Sequence, residues 1–145
     1  MQRRNLAWAA LFARLVLGLT FFMAGWWKCF ELGPVEHARR FFVAGFAESW
    51  IPAWLLWGLG VVVPAAELAG GALVLLGFRL REALVALGFL LALVTYGHLL
   101  QEPLFSLSAH IFPRLVLLLV VLVIPREADR FSLDAWSKRV RKTGA

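Results

Sequence analysis

The chain has 145 residues, of which 61% are hydrophobic and 17% are charged, and its formal net charge is +6. About half of the residues in a soluble domain are apolar and about a quarter are charged, so this composition excludes a soluble globular domain and a disordered chain. A single cysteine excludes a disulfide scaffold. The length suffices for one domain, and we expect residues 1–145 to form a single integral membrane domain.

Four apolar stretches are long enough to cross a bilayer as helices, because a spanning helix needs about 20 residues. They cover approximately residues 6–27, 53–78, 83–100 and 104–124. These runs are continuous and lack the alternation of a membrane β-barrel, so they predict an all-α fold, a four-transmembrane-helix bundle. Between the first two spans, residues 34–52 predict a short outer amphipathic loop. Its apolar face would be formed by Val35, Ala38, Phe42 and Phe46.

Basic residues indicate how the helices are oriented. Ten Lys and Arg side chains lie on the side of the two termini, and three lie on the other side. The positive-inside rule therefore predicts that both termini are cytoplasmic. The tail from Arg126 onward is basic and suits the anionic surface of the cytoplasmic leaflet. Because topology accounts for most of these charges, we expect no binding to nucleic acid.

Three ionisable residues fall inside the predicted spans. Counting about 1.5 Å per residue from the end of each span places Arg14, Glu67 and Arg114 at a similar depth, in the lower middle of the bilayer. Charges at this depth are costly, so we expect Glu67 to pair with Arg14, with Arg114 or with both inside the bundle. Such a layer would act either as a proton relay or as a structural lock between helices.

A second polar layer, nearer the outer face, contains Lys28, His98 and His110. The two histidines would hydrogen-bond a quinone, transfer protons or serve as interfacial hydrogen-bonding residues. Lys28 and His98 are the candidates for a catalytic role, and all three residues are candidates for binding a quinone or another substrate. Neither CxxC nor HxxxH spacing occurs, so we expect no metal site, and the sequence contains no motif for a haem or a flavin.

Four pieces of the sequence, in order along the chain, resemble one family. They are RLVLG from Arg14, AGWWK ending at Lys28, ELAGGALVLLGFR from Glu67 and RFSLD from Arg130. Together with His98 on the third span, they make the chain similar to the DoxX family of small four-helix bacterial membrane proteins. The resemblance implies a multi-pass protein of the bacterial inner membrane. By residue match its functional polar positions would be Arg14, Lys28, Glu67 and His98.

The family takes its name from a subunit of a thiosulfate:quinone oxidoreductase. The resemblance therefore implies an oxidoreductase subunit of a quinone-linked system, which would bind a quinone or a small sulfur substrate near the outer face. Any flavin, haem or iron–sulfur centre would come from a partner subunit. As partners we expect the lipid bilayer and either other subunits or further copies of this chain.

Two alternatives fit the same sequence. The chain would serve equally well as a non-catalytic subunit that anchors or assembles a larger membrane complex, so whether it is an enzyme stays open. A transporter is less favoured, because four spans without an internal repeat are few for alternating access.

Overall fold

The structure is a computed structural model that describes residues 2–104, 106–125 and 128–143. Its α-helices are α1 (Gln2–Trp26), α2 (Pro34–His37), α3 (Ala53–Leu76), α4 (Leu80–Gln101), α5 (Ile111–Val123) and α6 (Leu133–Thr143). Two π-helical segments, Trp27–Glu31 and Ala38–Val43, continue α1 and α2. The described residues form no β-strand, which confirms the all-α prediction.

Three helical stretches are long and apolar enough to cross a membrane, and they agree with the first three predicted spans. They are Arg4–Glu31, Ala53–Leu76 and Leu80–Gln101. The predicted fourth span, residues 104–124, is not confirmed, because α5 begins only at Ile111 and has 13 residues. At about 1.5 Å per residue, α5 is about 20 Å long and therefore shorter than the roughly 30 Å hydrocarbon core.

Pro113 gives a physical reason for the late start of α5. Proline has no N–H group and its ring collides with the carbonyl four residues earlier, so the first turn of a helix accepts it without loss, whereas in the interior it removes a hydrogen bond that another donor must replace. Pro113 is the third residue of α5, whereas a helix that began near Leu104 would place it in the interior. The apolar pattern does not reveal this start, because hydrophobicity does not report a missing hydrogen-bond donor.

Helices α1 and α3 pack antiparallel with their backbones in close contact. A Cβ atom on Gly25 would lie 2.7 Å from Cα of Leu68, and a Cβ atom on Gly71 would lie 2.7 Å from Cα of Phe22. Lipid gives apolar helices no hydrophobic reason to associate, so membrane helices depend on close packing at small residues. The glycines therefore determine the register of α1 against α3.

The apolar core lies between α1, α3, α4 and α5. Its buried side chains include Leu17, Phe21, Val74, Leu84, Leu87 and Leu118. Gly70 lets α3 approach α4, since a Cβ atom there would lie 2.6 Å from Cδ2 of Leu87. The outward faces of the same helices carry exposed large apolar side chains such as Phe12, Met23 and Phe89. These exposed faces are those expected of helices surrounded by lipid.

The two ends of the bundle differ. We call the end with the start of α1, the α3–α4 turn and α6 the terminal face, and the end with α2 and the start of α5 the loop face. At the loop face, α2 and the π-helical segment after it fold back on α3, and Ala38 is fully buried beside Gly60. Val35 is exposed and does not share the apolar face predicted for this loop, because the buried side of the loop carries His37 and Ala38.

At the terminal face the end of the chain is fastened to the α3–α4 turn. Both carboxylate oxygens of Asp134 accept hydrogen bonds of 3.0 Å, from the backbone N–H groups of Arg79 and Leu80. The N–H of Asp134 donates to the carbonyl of Gly77 at 3.0 Å. The RFSLD piece therefore ties α6 to the start of α4. Arg126, which the orientation argument counted, lies outside the described residues.

The close contact of α1 and α3 predicts different effects of alanine at two glycines of α3. Gly71→Ala places a methyl group against the backbone of Phe22, so we expect it to lower the free energy of unfolding by about 1–3 kcal/mol. Gly58→Ala is the matched control, because nothing lies within 4 Å of its Cβ position. This control should stabilise the helix by up to about 1 kcal/mol. Denaturant titration in detergent micelles measures both changes, and equal stabilities of the two variants would contradict the packing.

Candidate functional site

Glu67 is buried in the middle of α3, with 2% of its surface exposed, and it is paired with Lys28. Nζ of Lys28 donates a hydrogen bond of 2.5 Å to Oε2 of Glu67. Lys28 belongs to the π-helical segment after α1, in which the N–H of Leu32 donates to the carbonyl of Trp27 at 2.9 Å. Such π-helical turns recur at functional sites. The Lys28 side chain keeps 22% of its surface exposed, so the pair connects a buried carboxylate with a partly exposed lysine side chain.

Lys28 lies on the wall of a cavity of about 410 Å³, which we call the loop-face cavity. It lies between α3 and α4 and is covered by the segment of residues 37–51. Its aliphatic walls include Leu56, Leu59, Val63, Leu93 and Val94, and the covering segment adds the rings of Phe42, Phe46 and Trp50. Polar groups on the wall include Lys28, His37, His98 and Gln101. The cavity opens at its rim, where Trp27, Trp50 and Tyr96 are exposed.

His37, which the sequence argument missed, lines this cavity and is only 4% exposed. Its Nδ1 lies 2.7 Å from the carbonyl oxygen of Gly60. In an uninterrupted helix the N–H of residue 64 would satisfy that carbonyl, but Pro64 has none, so the imidazole supplies the donor. Burial lowers the pKa of His37 below its ordinary value, and the ring is therefore neutral at pH 7. Pro64 was the sequence feature that could have indicated this contact, because a proline inside a span leaves one carbonyl that needs a hydrogen-bond donor from outside the helix.

His98 also lines the cavity, so the structure brings together Lys28 and His98, two of the three residues predicted to bind a quinone. His98 is partly buried in the last turn of α4. His110 is exposed immediately before α5 and lies outside the cavity wall, although it is close enough to His98 to interact with it electrostatically. The roles of these residues in binding or catalysis stay predictions.

Arg14 and Glu67 do not meet, which corrects the ion pair expected from the sequence. The guanidinium of Arg14 lies at the terminal face, with Nε 3.8 Å from Oδ2 of Asp129, and its Nη2 donates to the carbonyl of Phe131 at 3.2 Å. A Cβ atom on Gly77 would touch this guanidinium, so Arg14 is level with the end of α3, ten residues from Glu67. The predicted depth of Arg14 was wrong because it was counted from the start of the first apolar stretch, whereas the first part of α1 extends beyond the end of α3.

Arg114 also lies apart from Glu67, so the expected layer of three charged residues is not formed. Its Nη2 donates to the carbonyl of Thr20 at 3.2 Å, and its guanidinium lies 5.1 Å from the ring centre of Phe21. These contacts tie α5 to α1 through a hydrogen bond and a cation–π interaction. Arg14 and Glu67 are each in an ion pair, but with partners other than those expected. Proton relay through Glu67 stays a prediction.

Two other basic side chains of the loop face form ion pairs with a neighbouring carboxylate. Arg39 and Arg40 both donate to the carboxylate of Glu36 on α2. These hydrogen bonds lower the pKa of Glu36 to about 2, so the carboxylate stays charged at any physiological pH. Lys28 is therefore the cation that the described part of the chain presents to the loop-face cavity.

The side chains that line the cavity could form hydrogen bonds to a ligand and exchange protons with it. An ammonium group and two imidazoles face aliphatic walls, and this combination of an apolar surface with a few convergent polar groups is usual in small-molecule sites. Among residues 2–104, 106–125 and 128–143, no three His, Cys, Asp or Glu side chains lie together as metal ligands would.

Three helices that are long and apolar enough to cross a membrane, with a buried carboxylate–ammonium pair beside an apolar cavity, are typical of a small helical membrane protein. A model of the DoxX family, described as DoxX, matches residues 9–99, which is more than half of the chain, and the chain belongs to this family. The match includes the positions of Lys28, Glu67 and His98, whereas the RFSLD piece lies outside it. Searches of the curated proteins and of the solved structures find no match.

The pairing of Lys28 with Glu67 predicts that their substitutions are not additive. Lys28→Met leaves a buried carboxylate without its partner, so we expect the free energy of unfolding to fall by about 3 kcal/mol. Combining Lys28→Met with Glu67→Gln removes both charges and should recover most of this loss. Glu31→Gln, at an exposed position of the same segment, is the control and should change stability by less than about 0.5 kcal/mol. Denaturant titration of the unmodified protein, the two single variants Lys28→Met and Glu67→Gln, the double variant and the control gives the five values; a double variant as unstable as Lys28→Met would show that the pairing is wrong.

Proposed function

We propose that this DoxX-family membrane protein is a subunit of a quinone-linked redox system of the bacterial inner membrane, and that its loop-face cavity binds the quinone head group. The observation that carries the proposal is the position of Lys28. Lys28 lies on the wall of an apolar cavity, and its ammonium group is hydrogen-bonded to the buried carboxylate of Glu67. A charged hydrogen-bond donor held in this way is pre-organised for a polar group on an otherwise apolar ligand.

The size and lining of the cavity suit a flat, lipid-soluble ring. Its volume of about 410 Å³ lies within the range of about 300–1,000 Å³ that is usual for ligand pockets. The aliphatic walls would contact the faces of the ring, and Lys28 and His98 would donate hydrogen bonds to its carbonyl oxygens. A small sulfur anion would also be attracted by Lys28, but the same walls would leave most of its charge without hydrogen bonds, so a quinone is favoured.

Reduction of a quinone to a quinol consumes two electrons and two protons. Lys28, through its hydrogen bond to Glu67, and the imidazole of His98 are the groups of this chain that would hold protons at the ring. The electrons would come from a partner subunit that carries a flavin, a haem or an iron–sulfur centre. The loop face would be the outer side of the membrane, because basic residues are concentrated at the terminal face and the positive-inside rule places that face in the cytoplasm.

A short-chain ubiquinone tests the proposal directly, because quinones quench tryptophan fluorescence and Trp27 and Trp50 lie on the cavity wall. Titration of the purified protein in detergent should give saturable quenching with one site per chain. Val94→Phe fills the cavity and should weaken binding at least about tenfold. Lys28→Met removes the ammonium donor and should also weaken binding about tenfold.

The matched control is Val85→Phe, which makes the same change at an exposed position of α4 away from the cavity. It should bind the quinone as the unmodified protein does. Unchanged binding in Val94→Phe, or an equal loss in Val85→Phe, would overturn the cavity as the quinone site. If in addition the protein co-purifies with a large partner whose membrane attachment depends on it, the non-catalytic anchoring function replaces the redox one.

A further inference from the structure

The terminal face carries a second large concavity, a groove of about 1,040 Å³ between the start of α4, the end of α5 and α6. We call it the basic groove, since its lining includes Arg79, Arg81, Arg130, Lys138, Arg139 and Arg141. Its inner wall is apolar and is formed in part by Leu84 of α4 and by Val121, Leu122 and Val123 of α5. Cations therefore lie beside the exposed aliphatic side chains of Leu122 and Val123, in a place that the quinone proposal does not use.

The acidic residues of the groove cancel only part of this charge. Both carboxylate oxygens of Asp134 accept backbone hydrogen bonds from the α3–α4 turn. Asp129 faces Arg14, which is not one of the lining residues. Glu82, Asp129 and Asp134 are three acidic side chains against six basic ones in the described lining, which leaves a formal excess of three positive charges. The groove consequently attracts an anion.

Arg79 is held in a backbone conformation that favours glycine. Its φ angle is 46°, and it is the one non-glycine residue with a positive φ among the described residues. A side chain in this left-handed region costs free energy that glycine would not cost. Strain of this kind clusters at functional sites, because the surrounding structure must maintain it. Here the strained position directs an arginine into the lining of the groove.

Helix α6 places the groove at the membrane surface. Leu133, Trp136 and Val140, which are spaced three and four residues apart, are 40%, 63% and 51% exposed. An exposed apolar stripe on a basic helix is typical of a helix that lies in the bilayer interface with its charges at the level of the lipid head groups. The apolar stripe of α6 is independent of the charge in the groove and would bring phospholipid to it.

We propose that the basic groove binds an anionic phospholipid, with the phosphate among its arginines and lysines and an acyl chain along the exposed side of Leu122 and Val123. Basic residues that served only to orient the protein in the membrane would need no groove with an apolar wall. They would also need no arginine in a strained backbone conformation. The chemistry recognised is a phosphodiester that carries a net negative charge and a hydrocarbon tail. A free phosphate ion shares the first feature and lacks the second.

The experiment uses the complete protein in nanodiscs that contain equal amounts of dioleoylphosphatidylglycerol and dioleoylphosphatidylcholine, which differ only in the head group. The lipids that remain bound after transfer to detergent are counted by native mass spectrometry. We expect phosphatidylglycerol to be enriched, and each cation removed from the groove should lower this enrichment about fivefold. The variants are Arg79→Gly, which keeps the backbone conformation, and the surface pair Lys138→Gln with Arg141→Gln.

The matched control is Arg39→Gln with Arg40→Gln, which removes two cations from the loop face and should leave the enrichment unchanged. Equal retention of the two lipids, an undiminished enrichment in both groove variants, or an equal loss in the control pair would overturn the proposal. Millimolar inorganic phosphate is added in a parallel sample. Displacement of the lipid by phosphate at that concentration would show that the groove recognises the ion alone and would overturn the lipid assignment.

Discussion

The antiparallel contact of α1 with α3 brings the two backbones so close that a methyl group on Gly25 or Gly71 would collide with the opposite helix. Leucine and valine side chains pack equally well against lipid tails, so they cannot determine how one apolar helix lies against another. Small residues can, because they define the places where close approach is sterically allowed. The positions of the buried charges follow from this register.

One consequence of the register is that charges are paired at both ends of the α1–α3 contact. At the loop face, Lys28 reaches Glu67, and at the terminal face Arg14 reaches Asp129 and the carbonyl of Phe131. A charge inside a membrane protein is tolerable only with a partner, so a shift of one helix along the other would leave both arginine and glutamate unpaired. Packing at glycines and charge pairing thus favour the same alignment.

The sequence was sufficient to predict the elements that depend on local composition. The first three spans, the all-α class and the DoxX family follow from apolar runs and from motifs that contain Lys28, Glu67 and His98. The partner of Glu67 was predicted wrongly, since pairing depends on the relative displacement of two helices and not on the depth of each residue from its own boundary. The apolar boundary of α1 lies inside a helix that continues past the end of α3.

The remaining differences also have local physical causes. The start of α5 depends on Pro113, whose effect is on backbone hydrogen bonding and leaves the apolar pattern unchanged. His37 lies in a short helix between spans, so nothing in its immediate sequence shows that it caps the carbonyl of Gly60 across the chain. Both the start of α5 and the contact of His37 depend on a proline within a helix. For His37 this proline is Pro64, which lies 27 residues further along the chain.

Oxidative cross-linking in the membrane tests the register of α1 and α3 most directly. In a Cys29→Ser background, Gly18→Cys with Leu75→Cys should form a disulfide rapidly, because a Cβ atom on Gly18 lies 3.0 Å from the backbone nitrogen of Leu75. Arg14→Cys with Glu67→Cys should form none, since these positions lie about 15 Å apart along the helix axis. A disulfide between positions 14 and 67, or none between positions 18 and 75, would contradict the account.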